Sequence, residues 1–218
     1  LPENQTSYIK GEFTGTLVGT EGSKAYAIYD LKKPLFDILK NATVKDLDLK
    51  NTQVDSIENA AAVAKTADNA TISNVAVEGK VSGRKSVAGL VVDATNTRIE
   101  NSSFSGKLIA NHADNNANYA GGIVGKLTGG NAKVDKSKVD VVISTAARNN
   151  NQTAGGIVGK LENSALVTRS VTTGKILNGQ GYPRVGGIVG STYPRGRVDN
   201  VVSNMNVGDG YATTGDQF

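Results

Sequence analysis

The stretch Ala120-Gly-Gly-Ile-Val-Gly-Lys-Leu127 returns as Ala154-Gly-Gly-Ile-Val-Gly-Lys-Leu161 and, shortened, as Val185-Gly-Gly-Ile-Val-Gly190. A looser copy, Val87-Ala-Gly-Leu-Val-Val92, lies upstream. Copies at a spacing of about thirty residues indicate one structural unit that is repeated along the chain. We therefore predict a repeat protein, in which most residues serve a scaffold.

A further aliphatic residue, which we call the anchor, follows each glycine block. These anchors are Val44, Ile72, Ile99, Val134, Val167 and Val198. A short alternating segment comes next, and several units then close on Gly-Lys-aliphatic, as in Gly79-Lys-Val81, Gly106-Lys-Leu108 and Gly174-Lys-Ile176. Each unit thus contains three short β-segments separated by turns, and such a unit cannot bury its apolar side alone.

The economical arrangement is a coil in which each segment pairs in parallel with its equivalent in the next unit. We predict an all-β fold, a right-handed parallel β-helix of about six coils. Ile123, Ile157 and Ile188 should form one stacked internal ladder that Leu90 continues, and the six anchors should form a second. The glycines of the blocks should allow a bend or the close approach of a neighbouring backbone.

Two segments depart from the repeat. Residues 1–39 carry more aromatic side chains, and we expect an irregular N-terminal cap or first coil there; residues 40–218 hold the repeats. We expect both to form a single domain cut from a longer polypeptide. Ala60-Ala-Ala-Val-Ala-Lys-Thr-Ala67 has helical propensity, yet it precedes an anchor as the glycine blocks do. We interpret it as a degenerate first segment, with a short helix as the alternative.

Composition excludes several classes of protein. The 218 residues include 24 basic and 20 acidic side chains, a net charge of +4, but the charges are interspersed. This pattern indicates a solvated surface without the basic and aromatic patch of a nucleic-acid-binding protein. The lack of cysteine excludes disulfides and cysteine-ligated zinc. No apolar run is long enough to predict a membrane span.

The glycine blocks and the closer Ser170-Val-Thr-Thr-Gly-Lys-Ile176 resemble the GLUG-motif repeats of bacterial surface proteins. The order Phe13-Thr-Gly-Thr16, Tyr26-Ala-Ile-Tyr-Asp-Leu31 and Pro34-Leu-Phe-Asp-Ile-Leu39 is more specific. It is similar to the region that precedes the protease domain in gram-positive IgA1 proteases, the streptococcal zinc metallopeptidases. The resemblance implies an extracellular enzyme, cell-wall attached or secreted, that cleaves the hinge of human IgA1 at a His-Glu-x-x-His zinc site.

None of that catalytic machinery can be assigned to this chain. Its one histidine is His112, in a polar stretch, and no His-Glu pair occurs. The carboxylates are scattered beside predicted strands, whereas a polysaccharide-cleaving site would cluster them at one cleft. We therefore predict no catalytic residue, no metal site and no cofactor here. The resemblance places zinc in the protease domain of the parent polypeptide.

The units differ chiefly in the connection between a closer and the next glycine block. These connections leave one corner of the coil, so they should stack side by side, as binding faces of repeat proteins often do. They and a neighbouring turn hold tyrosines and arginines, which are enriched at interface hot spots. The candidate partner-binding residues are His112, Asp114, Tyr119, Arg148, Tyr182, Arg184, Tyr193, Arg195 and Arg197.

The expected partner is IgA1 or the protease domain of the same chain, and we expect a monomer. The alternative is that these loops are only solvated. Stacking would also place Asp93 beside Lys126, as a weak surface ion pair, and Lys126 beside Lys160, as a mild repulsion.

Two classes of function remain open. The first is a non-catalytic scaffold or substrate-recognition domain of a cell-surface zinc metalloprotease that cleaves IgA1. The second is a structural stalk or adhesin-type binding module of a bacterial surface protein. A His-Glu-x-x-His motif downstream would favour the first.

Truncation of Ile157 to alanine tests the predicted ladder. Loss of an internal aliphatic side chain leaves a cavity, so the free energy of unfolding should fall by about 2–5 kcal/mol. Urea unfolding followed by circular dichroism measures the change, with Lys107→Ala as a surface control. A loss no larger than that of the control would place Ile157 in solvent.

Overall fold

The computed structural model describes residues 6–111, 117–145, 152–178 and 184–207. Within these ranges every regular element is a β-strand, and there is no α-helix. The chain passes through the same succession of strands once per turn, and each strand pairs in parallel with its equivalent in the next turn. The predicted parallel β-helix is confirmed.

The first wall, sheet 1, contributes one strand from each of seven turns. These strands are β1 (Ile9–Phe13), β6 (Phe36–Lys40), β8 (Ala64–Asp68), β11 (Val91–Thr95), β15 (Val124–Thr128), β19 (Val158–Glu162) and β23 (Val189–Thr192). Because β8 pairs with β6 on one side and β11 on the other, the alanine-rich segment is a first segment of its turn. The helical alternative for that segment is wrong.

The second wall, sheet 2, has twelve strands and bends at a corner partway along each turn. Its strands are β2 (Thr16–Val18), β5 (Ala27–Tyr29), β7 (Thr43–Ser56), β9 (Thr71–Gly83), β12 (Arg98–Glu100), β13 (Ser103–Ala110), β16 (Lys133–Asp135), β17 (Lys138–Thr145), β20 (Leu166–Thr168), β21 (Val171–Asn178), β24 (Arg197–Asp199) and β25 (Val202–Val207). In the early turns β7 and β9 run through the corner as single long strands.

The third wall, sheet 3, is short and belongs to the later turns. Its strands are β10 (Val87–Ala88), β14 (Tyr119–Gly121), β18 (Thr153–Gly155) and β22 (Arg184–Gly186). A single bridge between Ala60 and Val87 extends the same alignment one turn earlier. Each turn therefore runs from sheet 3 through sheet 1 into sheet 2.

The two internal ladders form as predicted. The anchors pair in direct register from Val44 to Val198, and Leu17 adds a further rung before them. Ile123 and Ile157 are fully buried and Ile188 is 7% exposed. The Ile123 amide donates to the Ile157 carbonyl at 2.9 Å, and the Ile157 amide donates to that of Ile188 at 2.9 Å. Stacked aliphatic side chains thus form one continuous core.

The glycine blocks are required by the approach of the next turn. A Cβ on Gly122 would lie 2.1 Å from the carbonyl oxygen of Gly156, and one on Gly156 would lie 2.1 Å from that of Gly187. No side chain fits at such distances, so the backbones of successive turns touch here. The predicted role of the glycines is confirmed.

The corners between walls use residues that tolerate a left-handed backbone. Between sheets 1 and 2, Asn41, Asn69, Asn96 and Asn163 have φ between 46° and 53°. Asparagine enters this region more readily than most residues. The side-chain nitrogen Nδ2 of Asn69 also donates to Asn41 Oδ1 at 2.6 Å, along the column. These asparagines of the repeat thus form the corner between sheets 1 and 2.

A serine ladder supports the corner within sheet 2. The hydroxyls of Ser102, Ser137 and Ser170 each donate to the carbonyl two residues earlier, and all three side chains are buried. Ser102 Oγ also accepts the Val75 amide, and Ser170 Oγ accepts the Ser137 amide. At the bend the Val75 and Ser137 amides donate to these hydroxyl oxygens in place of backbone carbonyls. Such partners are needed because a buried amide without an acceptor is destabilising.

Residues 9–29 join the sheets as their first turn. β1, β2 and β5 pair in parallel with the following turn, and a two-stranded antiparallel hairpin, β3 (Thr20–Glu21) and β4 (Lys24–Ala25), interrupts it. The Phe13 ring contacts that of Phe36, with centroids 4.8 Å apart and the planes tilted by 40°. The division of the chain at residues 39 and 40 stays a prediction.

Replacement of Gly122 by alanine tests the backbone contact. The new methyl group meets a carbonyl oxygen of the next turn, so unfolding free energy should fall by about 3 kcal/mol or more. Gly130→Ala is the matched control, because a Cβ there has nothing within 4 Å. Urea denaturation should show a large loss for the first variant and none for the second. Equal stabilities would mean that the turns lie farther apart.

Candidate functional site: the loop corner and the adjoining trough

The variable connections leave and re-enter the coil at stacked positions. The strand ends Ala110, Thr145 and Asn178 are in register, and so are the strand starts Tyr119, Thr153 and Arg184. We call this edge, which spans residues 57–59, 84–86, 111–118, 146–152 and 179–183, the loop corner. The start points of these connections therefore lie on one line along the column, and successive turns are one strand spacing apart.

Polar contacts brace the roots of these connections. The Ser86 amide donates to Asn59 Oδ1 at 3.1 Å, and the Tyr119 amide donates to Ser86 Oγ at 3.0 Å. In the next turns the Thr153 and Arg184 amides donate to the Asn118 and Gln152 carbonyls. The roots are thus held by hydrogen bonds whatever the length of the connection.

A cleft lies at the loop corner in the early turns. Its volume is about 280 Å³, and it is lined by Asp55, Ser56, Ile57, Ser82, Gly83, Arg84 and Asn111. Ile57 is 72% exposed beside it. An exposed apolar side chain among hydroxyl, amide and charged groups is a composition that suits contact with a protein.

The predicted partner-binding residues fall into three groups. His112, Asp114, Arg148 and Tyr182 lie outside the described residues. Tyr119 and Arg184 begin β14 and β22, directly beside the loop corner. Tyr193, Arg195 and Arg197 follow β23, where sheet 1 passes into sheet 2, so they occupy a different corner.

The residues at that second corner are exposed and separate from the first group. Tyr193 is 74% exposed, and Arg195 has a left-handed backbone with φ of 59°. Arg197 is the register partner of Leu166 on the outer face of sheet 2. The described structure therefore brings Tyr119 and Arg184 together at one place, and it does not bring these three to them.

Side chains of sheets 3 and 1 contact each other beside the loop corner. Tyr119, Thr153 and Arg184 form a column on sheet 3, and Thr153 Oγ1 donates to the Gly159 carbonyl of sheet 1 at 2.9 Å. The opposing column contains Lys126 and Lys160. We call these five residues, with Glu162, the trough.

Lys160 occupies the centre of the trough. Its ammonium nitrogen lies 5.6 Å from the centroid of the Tyr119 ring, a cation–π contact, and 2.5 Å from a Glu162 carboxylate oxygen. Its side chain is 26% exposed. Burial opposes the charge of Lys160, but the contacts with Glu162 and Tyr119 raise its pKa overall. The group therefore stays cationic.

Glu162 changes the predicted charge pairing. Asp93 and Lys126 are register partners, as are Lys126 and Lys160, so the predicted stacking is confirmed. However, the Lys126 ammonium lies 3.4 Å from Glu162, which thus bridges both lysines and offsets their repulsion. Burial opposes the charge of Glu162, yet the two lysines lower its pKa. Asp93 is partly desolvated, which raises its pKa, against the effect of Lys126.

Asp135 is a second charged centre, on sheet 2. Its side chain is only 6% exposed and accepts a hydrogen bond from Arg169 Nε at 2.8 Å. The Lys133 ammonium lies 2.8 Å from it. The Arg169 hydrogen bond, helped by Lys133 and opposed by burial, lowers the pKa of Asp135 to about 2. A carboxylate held by two cations is a structural tie between turns.

The described residues do not provide a zinc centre. Among them, no three His, Cys, Asp or Glu side chains are placed to hold a metal ion. Nor does any helix within the described ranges have the length and hydropathy to cross a membrane.

Two members of the trough, Thr153 and Glu162, were missed by the sequence reasoning. Register is the signal that could have found them, since Thr153 stacks between Tyr119 and Arg184. Glu162 stacks on Thr128, two positions after the lysine column. Side chains two apart on a strand share a face.

Comparison with known proteins places the chain beside streptococcal proteases. Residues 1–79 match the family described as the M26 IgA1-specific metallo-endopeptidase N-terminal region. The chain is 68% identical over its whole length to a zinc metalloprotease, ZmpC, of Streptococcus pneumoniae serotype 4, strain ATCC BAA-334 / TIGR4. It is 43% identical, over 99% of its length, to an immunoglobulin A1 protease of Streptococcus sanguinis.

A solved structure titled IgA1 protease has the same fold. It is 37% identical, with a TM-score of 0.87, and the match covers 98% of this chain and 18% of that one. The chain spans only 12% of the length of the two curated relatives. These proteins are thus far longer than the described β-helix.

Acid unfolding tests the Asp135 tie. In the folded chain the pKa of Asp135 is about 2, below the ordinary aspartate value of 3.8, so the stability that this group contributes is complete above about pH 4. It should be lost as pH falls from about 4 to about 2, because only the unfolded chain then takes up the proton. Thermal melting of the wild type and Asp135→Asn between pH 2 and 6 measures this. The variant should lose stability at pH 6 and depend less on pH; parallel curves would contradict the assignment.

Proposed function

Since the chain belongs to the N-terminal region of the M26 metallo-endopeptidases, we propose that it is a non-catalytic β-helical scaffold and substrate-recognition domain. Its proposed partner is IgA1, or the protease domain of the same polypeptide. We place the whole protein outside the bacterial cell, secreted or attached to the cell wall, and the chain itself acts as a monomer. The hydrolytic zinc belongs to another part of the polypeptide.

The in-register roots of the loop corner carry this proposal. Three connections leave sheet 2 and re-enter sheet 3 at stacked positions, while the walls between them keep one repeated register. The longest connections between strands of the repeated turns therefore lie at a single edge. A rigid scaffold with variable loops along one line is the arrangement by which repeat proteins bind partners.

The rigidity of the walls supports the scaffold role. A single buried cluster runs from Leu31 to Val189, and stacked ladders connect every turn to the next. A surface held in this way loses little conformational entropy when a partner binds. A large substrate positioned on it would reach the catalytic domain at a raised effective concentration.

The shape of the coil supports the alternative, a structural stalk. Seven strands at the usual strand spacing give sheet 1 a height of about 30 Å. A stalk needs only that length, because its function is to separate other modules. The loop corner would then have no partner, and the number of turns would be the functional quantity.

Loop replacement in the full-length enzyme tests recognition. Residues 112–116 and 179–183 would be replaced by short Gly-Ser turns, which leaves the hydrogen-bonded roots intact. If the loop corner contacts IgA1, KM for IgA1 should rise severalfold, with little change in kcat, because binding away from the reacting bond is lost. Initial rates of IgA1 cleavage measure both constants.

Two further variants make the result interpretable. Gly130→Ser with Asn131→Ser alters a turn at the other end of sheet 1 and should leave KM unchanged. Deletion of one whole turn, residues 120–153, keeps the register and shortens the coil. An effect of that deletion with none from the loop replacement would favour the stalk and reject recognition at the loop corner.

A further inference from the structure

We propose that the trough binds one carboxylate group, the side chain of an aspartate or glutamate in an acidic segment of a protein partner. Lys160 and Arg184 would hold the carboxylate, and the Tyr119 ring would support its methylene groups. This inference rests on the proposed recognition function and names the chemistry that the surface beside the loop corner selects.

Geometry brings the three side chains together from three turns. Tyr119 and Arg184 belong to one column of sheet 3, two strand spacings apart, with Thr153 between them. Lys160 reaches into the same space from sheet 1, over the Tyr119 ring. Thr153, the register neighbour of Arg184, donates to the carbonyl of Gly159, the residue before Lys160. Lys160 thus lies over the Tyr119 ring, and register places Arg184 in the same column as Tyr119.

The trough has an excess of positive charge. Lys126, Lys160 and Arg184 supply three cations, and Glu162 is the one carboxylate in ion-pair contact with them among the described residues. The carboxylate of Glu162 is already shared by two lysines. No described carboxylate forms an ion pair with Arg184, which is exposed at the rim. With Asp93, the register partner of Lys126, three cations face two described carboxylates, and one additional negative charge would balance them.

Partial burial makes this excess useful for binding. The Lys126 and Lys160 side chains are 32% and 26% exposed, so their charges are screened less by water than those of fully exposed lysines. By contrast, Lys80, Lys107 and Lys175 lie exposed on the flat outer face of sheet 2. Partly buried charges interact more strongly with an anion than charges that are fully exposed to water.

The arrangement selects a single carboxylate over a polyanion. Glu162 lies among the cations and would repel the repeated charges of a nucleic acid or a polyphosphate. The Arg184 guanidinium presents parallel donors that match the two oxygens of a carboxylate. The Tyr119 ring offers a flat apolar surface to the methylene groups that carry it. Tyrosine and arginine are also side chains typical of protein interfaces.

The test is a titration of the full 218-residue chain, labelled with ¹⁵N, with the blocked peptide Gly-Glu-Glu-Gly. Amide signals of β14, β19 and β22 should shift, and the shifts should weaken as salt is raised. Arg184→Gln should reduce the affinity roughly tenfold, the loss expected for a charge-assisted hydrogen bond. Lys160→Gln gives a second, independent variant.

Matched controls separate the site from general charge. Lys107→Gln makes the same change on the outer face of sheet 2 and should leave the affinity unchanged, and Gly-Gln-Gln-Gly should not bind. Equal loss from Lys107→Gln, or no shifts at the trough, would overturn the proposal. Binding of glucuronate there without binding of the acidic peptide would also overturn it, since the site would then recognise a sugar acid.

The outcome is distinguishable from a failure of the proposed function. If loop replacement raises KM for IgA1 while the acidic peptide does not bind at the trough, IgA1 recognition is supported and the carboxylate site is rejected. If the peptide binds at the trough while neither loop replacement nor Arg184→Gln affects IgA1 cleavage, the carboxylate site is supported and recognition of IgA1 is rejected.

Discussion

The structure depends on the backbone hydrogen bonds that join each turn to the next at one fixed strand spacing. These bonds are made in every wall, so equivalent residues of successive turns must face one another throughout the column. Any residue that pushes two turns apart would break the pairing on both sides. Glycine is therefore imposed where backbones touch, as at Gly122 and Gly156. Stacked aliphatic ladders are a consequence of the same spacing.

The corners satisfy this constraint by different chemistry. Asparagines adopt a left-handed backbone between sheets 1 and 2, and serine hydroxyls supply hydrogen bonds at the bend within sheet 2. The bend within sheet 2 keeps a constant length, and the connections between sheets 1 and 2 stay short. The edge between sheets 2 and 3 is braced only at its roots, so additional residues can be inserted there without disturbing the walls. This difference explains why the longest connections occur at the loop corner.

The same stacking also determines where charge can concentrate. Asp135 is held by Lys133 and Arg169 and ties neighbouring turns, whereas Glu162 bridges two lysines beside an exposed arginine and a tyrosine. In the first arrangement the carboxylate is paired with both neighbouring cations. Among the described residues, the second retains more cations than carboxylates at the surface. This surface is the one for which we propose partner binding.

The sequence by itself determined the β-helix, its internal ladders and the edge at which loops emerge, because a repeat places this information at regular intervals along the chain. It also predicted that Asp93, Lys126 and Lys160 would stack. Only the tertiary structure decided that Glu162 pairs with both lysines, and that Tyr193, Arg195 and Arg197 lie at another corner from Tyr119. The physical reason is that the repeat of the sequence identifies which residues of successive turns are neighbours in one sheet. Contacts between two sheets depend in addition on the angle at which the sheets meet.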